Sequence, residues 1–276
     1  MSKPNIYACL ILLAIIALVG CQQPQSLPQS TVPQVIPANA KLICLFFDDG
    51  WQDQYVNALP ILLQYNFNAT FAIIASEIGH GEGVTLYMGK KEIMDLASRG
   101  MDIASHSITH PDLTGKMTNS PSYKELAGAK ESRELTDKIL SYEVIDSKKH
   151  LEKLGIGVRT FVYPYYACDD RVTGYVKKAG YICARGGGTT EWQYSLRTND
   201  ADSRYYVPSY AIVREDLEQF KVAVSGASSY SVVCLTYHHV SDVGPVETTT
   251  PVINFKEQMQ YLKESGFLVV LLPDLF

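Results

Sequence analysis

The chain has 276 residues, 46% of them hydrophobic and 19% charged, with 19 Gly and 13 Pro. That usage excludes disordered, collagen-like and coiled-coil classes and fits one large domain or two small ones. A formal charge of −5 provides no basic field for phosphate neutralisation, so nucleic acid is not an expected partner.

At the N-terminus, Lys3 followed by the apolar run from Ile6 to Val19 has the layout of a secretory signal over residues 1–20, and the run is short for a transmembrane span. It ends in Leu18-Val19-Gly20-Cys21, which resembles the lipobox of prokaryotic lipoproteins. The resemblance implies that Cys21 is acylated, becomes the mature N-terminus and holds an extracytoplasmic protein to a membrane; a plain signal anchor is the alternative. Residues 22–40 carry four prolines and no charge, so residues 21–40 read as an extended tether. One folded domain is then expected over residues 41–276.

From Lys41 onward, short apolar runs (Leu42–Phe47, Thr70–Ala75, Asp102–Ser105, Thr160–Tyr163, Tyr181–Ala184, Val232–Tyr237, Leu268–Leu272) alternate with segments of helical pattern. Such alternation predicts βα units and a parallel sheet. With about seven strands in one block and no glycine-rich nucleotide loop, the expected α/β fold is a distorted, closed or nearly closed (β/α) barrel rather than an open doubly wound sheet. Tyr123–Leu154 is the most charged stretch, and Leu126, Leu135, Ile139, Tyr142, Leu151 and Leu154 predict two amphipathic helices covering the barrel. Cys44, Cys183 and Cys234 lie in or beside apolar runs and are expected as small buried hydrophobes; with Cys168 they make no disulfide framework and no CxxC site. His80 and His150 are expected to face solvent, and Gly186-Gly187-Gly188 to form a flexible turn.

Four clusters stand at the ends of these runs, where parallel α/β folds build their sites. Phe47-Asp48-Asp49-Gly50 offers two adjacent carboxylates and a glycine for the turn. Ser105-His106-Ser107-Ile108-Thr109-His110 offers histidines four apart, which face one way if the turn is helical. One carboxylate and two imidazoles make the three-ligand set of a catalytic divalent metal with positions left open: zinc first, with cobalt, nickel, manganese or iron as alternatives. Phe161-Val162-Tyr163-Pro164-Tyr165-Tyr166 supplies a proline-stiffened aromatic loop, and Cys234-Leu235-Thr236-Tyr237-His238-His239 puts a histidine just beyond a strand.

In this order the four clusters resemble the polysaccharide deacetylase family, metal-dependent carbohydrate esterases with a NodB homology domain, and the resemblance runs from about Lys41 to the C-terminus. It implies that Asp48 is the base and Asp49 a metal ligand, with His106 and His110 as the metal histidines. It further implies that the Tyr165 backbone N–H helps hold an oxyanion and that His238 is the general acid, with His239 as the fallback. The substrate implied is an N-acetylated polysaccharide, from which acetate is released; no protein partner is indicated. Two departures stand out. Many members carry an Arg where this chain has Val162, and Arg185 or Arg214 are the candidates to replace it. No clear match exists for the Asp that orients the acidic histidine, leaving Asp200, Asp202 and Glu215 as candidates. The segment between His110 and Ser147 is long enough for an extra surface element. Two other classes remain: a catalytically impaired carbohydrate-binding protein, and a two-His-one-carboxylate non-haem iron enzyme.

Overall fold

Successive residues of a strand point to opposite faces, and in β1 (Lys41–Phe47) both faces are buried. Leu42, Cys44 and Phe46 join one buried cluster, made almost wholly of strand residues, while Ile43, Leu45 and Phe47 join a second cluster shared with the helices. The first is the inside of a barrel and the second the layer between barrel and helices. The computed structural model describes residues 36–115, 135–187, 193–197 and 200–276. The signal segment, Cys21, residues 22–35 of the tether, Leu126 and Gly188 lie outside the described residues.

After β1 come β2 (Thr70–Ile73), β3 (Asp102–Ser105), β4 (Thr160–Val162), β5 (Cys183–Arg185), β6 (Gln193–Ser195), β7 (Tyr210–Ala211), β8 (Ser231–Tyr237), β9 (His239–Val240), β10 (Thr249–Thr250) and β11 (Phe267–Val269). The main sheet runs β5-β4-β3-β2-β1-β8, all parallel, and β7 adds a seventh parallel strand on β8. The short β11 pairs with the start of β1, and β6 lies antiparallel on β8. Val207 bridges to Arg185 on the outer edge of β5, and β7 follows three residues later on β8. The segment from Val207 to Ala211 therefore joins the two edges of the sheet, which gives the expected distorted (β/α) barrel.

Helices cover the outer layer: α1 (Leu59–Tyr65), α2 (Lys90–Ser98), α3 (Asp137–Leu140), α4 (Ser147–Glu152), α5 (Asp170–Lys178), α6 (Leu217–Val224) and α7 (Val252–Glu264). Local sequence sets their ends. α1 continues a π-helical segment, Gln54–Ala58, with Pro60 just past the junction, and Asn66 closes it in the left-handed conformation. The Asp169 side chain caps α5 by accepting the Val172 N–H, and Lys177 and Lys178 sit at its negative end. Among the described residues no helix is long and apolar enough to cross a membrane.

Two expectations are corrected, at Gly186 and Gly187 and at residues 36–40. The described part of Tyr123–Leu154, residues 135–154, holds one continuous helical stretch: α3 runs through a π-helical segment, Ser141–Asp146, into α4. It buries Leu140, Val144 and Leu151, while Tyr142 is 49% exposed. Gly186 and Gly187 are not a free turn, since a Cβ on Gly186 would stand 2.4 Å from the Tyr206 ring and one on Gly187 2.7 Å from the Tyr166 ring. Residues 36–40 do not extend away: Ile36 and Ala40 pack against the inner cluster, and the Ala38 carbonyl accepts from Ser229. His80 and His150 are exposed, and Cys44, Cys183 and Cys234 are free and buried, as expected.

Phe47 is the hinge of the outer layer, stacked on Phe71 at 4.8 Å and on Tyr237 at 5.5 Å and meeting the α7 residue Phe255 edge-on at 5.8 Å. Phe47→Ala should lower unfolding free energy by about 3–5 kcal/mol, measured by urea denaturation.

Candidate active site

The inward column of each strand, carried to the strand's end or one step past it, generates the site. On β1 it runs Leu42, Cys44, Phe46 and then Asp48; on β3 Ala104 and then His106; on β5 Cys183 and then Arg185; on β8 Val232, Cys234, Thr236 and then His238. All four reach the same C-terminal mouth because the strands are parallel. Asp49, two residues past the end of β1, would point outward by continued alternation, but its φ of 75° takes it out of the strand conformation and its carboxylate lies beside the histidines.

Asp49, His106 and His110 form the one group among the described residues whose ligand atoms all lie within 4.8 Å of one another. Their separations are 3.1 Å between the two Nε2 atoms and 3.5 Å from each to Asp49 Oδ1. Bonds of about 2.1 Å around a tetrahedral centre place ligand atoms about 3.4 Å apart, so this donor set fits a divalent metal. His106 Nδ1 lies 2.8 Å from the Val162 carbonyl. That contact takes the proton of the ring and turns the Nε2 lone pair to the centre. Burial and the neighbouring His106 press His110 down to about 4, against the opposing pull of Asp49, so its ring is a neutral donor near neutral pH. For Asp49, burial alone would raise the carboxyl. The imidazoles of His106, His110 and His238 around it hold it well below the usual carboxylate range.

The two histidines do not converge through a helix, as their spacing would allow. Ser107 (φ 67°) and His110 (φ 58°) are both left-handed, and the chain turns tightly between them. Glu143, buried in the π-helical segment, holds this turn: Oε2 accepts the N–H groups of Ile108 and Thr109, both at 2.9 Å, and Oε1 accepts the Thr109 hydroxyl at 2.7 Å. From the other side Ala75 and Ser76 donate to the carbonyls of Ser107 and Ile108.

Asp48 is buried, with both carboxylate oxygens on Arg185 Nη2 at 2.5 and 2.6 Å. Val162 and Arg185 are register partners on β4 and β5, so the guanidinium absent from position 162 arrives from the adjacent strand. Arg214 is not that partner; its carbonyl accepts from Asn254. His238 Nε2 stands 4.0 Å from Asp48 Oδ2, with its side chain 22% exposed and Nδ1 buried without a partner. The three candidates for an orienting acid are engaged elsewhere: Asp202 pairs with Lys177, Asp200 accepts the Asp202 N–H, and Glu215 accepts the Val213 N–H. His239 turns the other way, onto Asp53 at 2.6 Å. Tyr165, with φ of 54°, sets its ring 4.6 Å from that of His110.

Sequence pattern alone does not single out four residues of this region: Trp51, Asp53, Gln54 and Glu143. The first three come directly after the Asp-Asp-Gly turn, and that proximity is the signal that could find them. Glu143 has none, being a charge within a charged helix.

Residues 36–184, more than half of the chain, match the family model described as polysaccharide deacetylase, and the chain belongs to that family. It is 33% identical over 152 residues to YxkH of Bacillus subtilis (strain 168), covering 55% of this chain and 45% of the relative. It is also 31% identical over 175 residues to the poly-beta-1,6-N-acetyl-D-glucosamine N-deacetylase of Staphylococcus aureus (strain MSSA476), covering 62% and 54%. The matches thus span about half the length of these curated relatives. In fold, the chain is similar to the solved T48 deacetylase, with a TM-score of 0.54 at 18% identity, covering 86% of this chain and 91% of that one.

Removing the Glu143 carboxylate leaves two backbone N–H groups and a hydroxyl unpaired beneath both histidines. Glu143→Ala should weaken the affinity of this donor set for a divalent ion about 10- to 100-fold, with Glu143→Gln recovering most of it, as read by competition with a chromogenic chelator.

Proposed function

We propose that the chain is a metal-dependent hydrolase that removes N-acetyl groups from a hexosamine-containing polysaccharide outside the cytoplasm, tethered to a membrane through lipid on Cys21. The observation that carries this reading is the meeting, at one barrel mouth, of a three-ligand set with a separate buried carboxylate and a separate histidine. Asp49, His106 and His110 would hold the ion, zinc first, with cobalt, nickel, manganese or iron as alternatives. When bound, it supplies Lewis acidity that makes water acidic and polarises the acetyl carbonyl.

The chain's own groups then divide the proton work. Asp48 takes the proton of the attacking water, and Arg185 holds both of its oxygens in place for that. The Tyr165 backbone N–H donates to the oxygen that gains charge as the carbonyl carbon becomes tetrahedral. His238 gives a proton through Nε2 to the leaving amine, on the side of the site where it faces Asp48. Acetate and a free amino sugar result. The resemblance to the Staphylococcus aureus relative supports a polymer of N-acetylglucosamine as the substrate class.

The alternative of an impaired carbohydrate-binding protein draws on the missing Arg at Val162. Arg185 removes that motive, since a guanidinium sits on Asp48 all the same. A non-haem iron enzyme would have no use for a second carboxylate gripped beside the ligand set, and oxygen consumption separates the two chemistries.

Incubated with poly-N-acetylglucosamine, chitin and peptidoglycan, the metal-loaded protein should release acetate without consuming oxygen, and prolonged chelation should abolish release. Asp48→Asn should keep the metal and lose about 100-fold or more in turnover, whereas Asp49→Asn should lose metal; equal metal loss in both would refute separate roles. His238→Ala should behave as Asp48→Asn does. For location, mass spectrometry of the mature N-terminus should find lipid on Cys21, and Cys21→Ser should leave an unacylated chain, either released or held by its uncleaved signal; stable anchoring needs more than one acyl chain.

A further inference from the structure

Asp49 offers the histidines one carboxylate oxygen and commits the other. Trp51 Nε1–H donates to Oδ2 at 3.0 Å, while Oδ1 lies 3.5 Å from both His106 Nε2 and His110 Nε2. Because Asp49 has a positive φ, strand alternation does not fix where its side chain points, and an outside restraint decides it.

The indole that supplies this restraint is itself clamped. Its ring stacks between Tyr87, at 4.1 Å and 23°, and His239, at 4.5 Å and 27°. A backbone bridge between Trp51 and Tyr87 fixes the first wall. The second wall is held by Asp53, whose Oδ2 lies 2.6 Å from His239 Nδ1 and whose Oδ1 accepts the Val240 N–H at 3.2 Å. The His239 side chain is 4% exposed. A buried imidazole with its polar atom tied to a carboxylate and its face against an indole is a wall, not a proton donor to substrate.

We infer that Trp51 is a positioning residue: it fixes Asp49 as a one-oxygen metal ligand, with Tyr87, His239 and Asp53 as the clamp that holds the indole. A carboxylate freed of this N–H can turn and present both oxygens, as carboxylates do at divalent ions, filling a position that water and the acetyl oxygen need. The inference rests on the metal reading of Asp49, His106 and His110. It also accounts for the doubled histidine after β8, one of the pair facing Asp48 and the other facing Trp51.

The test is cobalt(II) titration of metal-free protein, following the visible absorption bands of the ion and its Kd by competition with a chromogenic chelator. Trp51→Phe keeps the stack and deletes the N–H. Relative to wild type it should change the cobalt band intensity and weaken Kd about tenfold, with the thermal unfolding midpoint of the metal-free protein nearly unchanged. Asp53→Asn, which touches no ligand, should shift both readouts in the same direction by less, and it decides the matter should the Phe variant fail to fold. If wild type binds cobalt and both variants give its spectrum and Kd, Trp51 does not position Asp49 and the inference is overturned. If wild type binds no cobalt at all, the metal reading itself fails and takes this inference with it.

Discussion

A carboxylate sealed inside a barrel is tolerable only beside a matching cation, and here one such pair ties the first strand of the sheet to the fifth. Arg185 on β5 is fully buried and reaches across the mouth to Asp48 beyond β1, 137 positions away in sequence. Removing one partner of such a pair costs about 3–5 kcal/mol, because the other charge is left buried and bare. Much of the local architecture serves it. The guanidinium lies between the rings of Phe46 and Tyr166, at 5.3 and 5.2 Å, and its Nη1 reaches the Gly186 carbonyl and Ser209. Gly186 and Gly187 lack side chains because Tyr206 and Tyr166 occupy that space. The same arginine bridges by backbone to Val207, where the barrel closes. Closure of the fold and orientation of the proposed base are therefore one constraint.

Backbone strain is concentrated around this mouth. Of the described non-glycine residues with positive φ, Asp49, Ser107, His110, Tyr165 and Tyr166 all belong to the turns that carry the site, against Asn66 and Arg214 elsewhere. Each such conformation costs of order 1–3 kcal/mol and persists only where its surroundings overdetermine it. The surroundings do so visibly: Glu143 and the chain after β2 grip the histidine turn from two sides, and Trp51 holds the carboxylate that strand geometry leaves loose. The rigid outer layer around Phe47 and the strained inner rim are complementary, since only a well-packed frame can hold turns that would otherwise relax.

What the sequence reveals of this depends on the range of the interaction. Period-two alternation and the parallel arrangement predict the barrel and bring Asp48, His106 and His238 to its mouth, since each is the next inward residue past an apolar run. The histidine spacing is also informative, although a left-handed turn rather than a helix makes the two rings meet. Arg185 is different. It ends a strand beside Val162, and only the register of β4 on β5 tells which arginine replaces the missing one. Glu143 is less legible still, because its partners are backbone N–H groups, which leave no trace in residue identity. Tyr142, one position before it, is expected on the apolar face and lies exposed, because the π-helical segment shifts the face that looks inward.

The placement of His238 and His239 shows how backbone contacts turn this geometry into a division of roles. Asp48 N–H donates to the Tyr237 carbonyl at 2.8 Å, extending the β1–β8 pairing one residue past the strand. The buried Gln54 amide then donates to the carbonyls of Asp48 and His238, at 2.5 and 2.7 Å, and so staples the two exits together. With both exits held in register, alternation has only one outcome: His238 falls on the inward column facing Asp48, and His239 falls outside it against Trp51 and Asp53. Neither histidine needs a distinctive sequence environment to acquire its role. Gln54 sits six residues after Asp48, and its side-chain amide adds a tie between the two exits to a register that the pairing of β1 with β8 already sets.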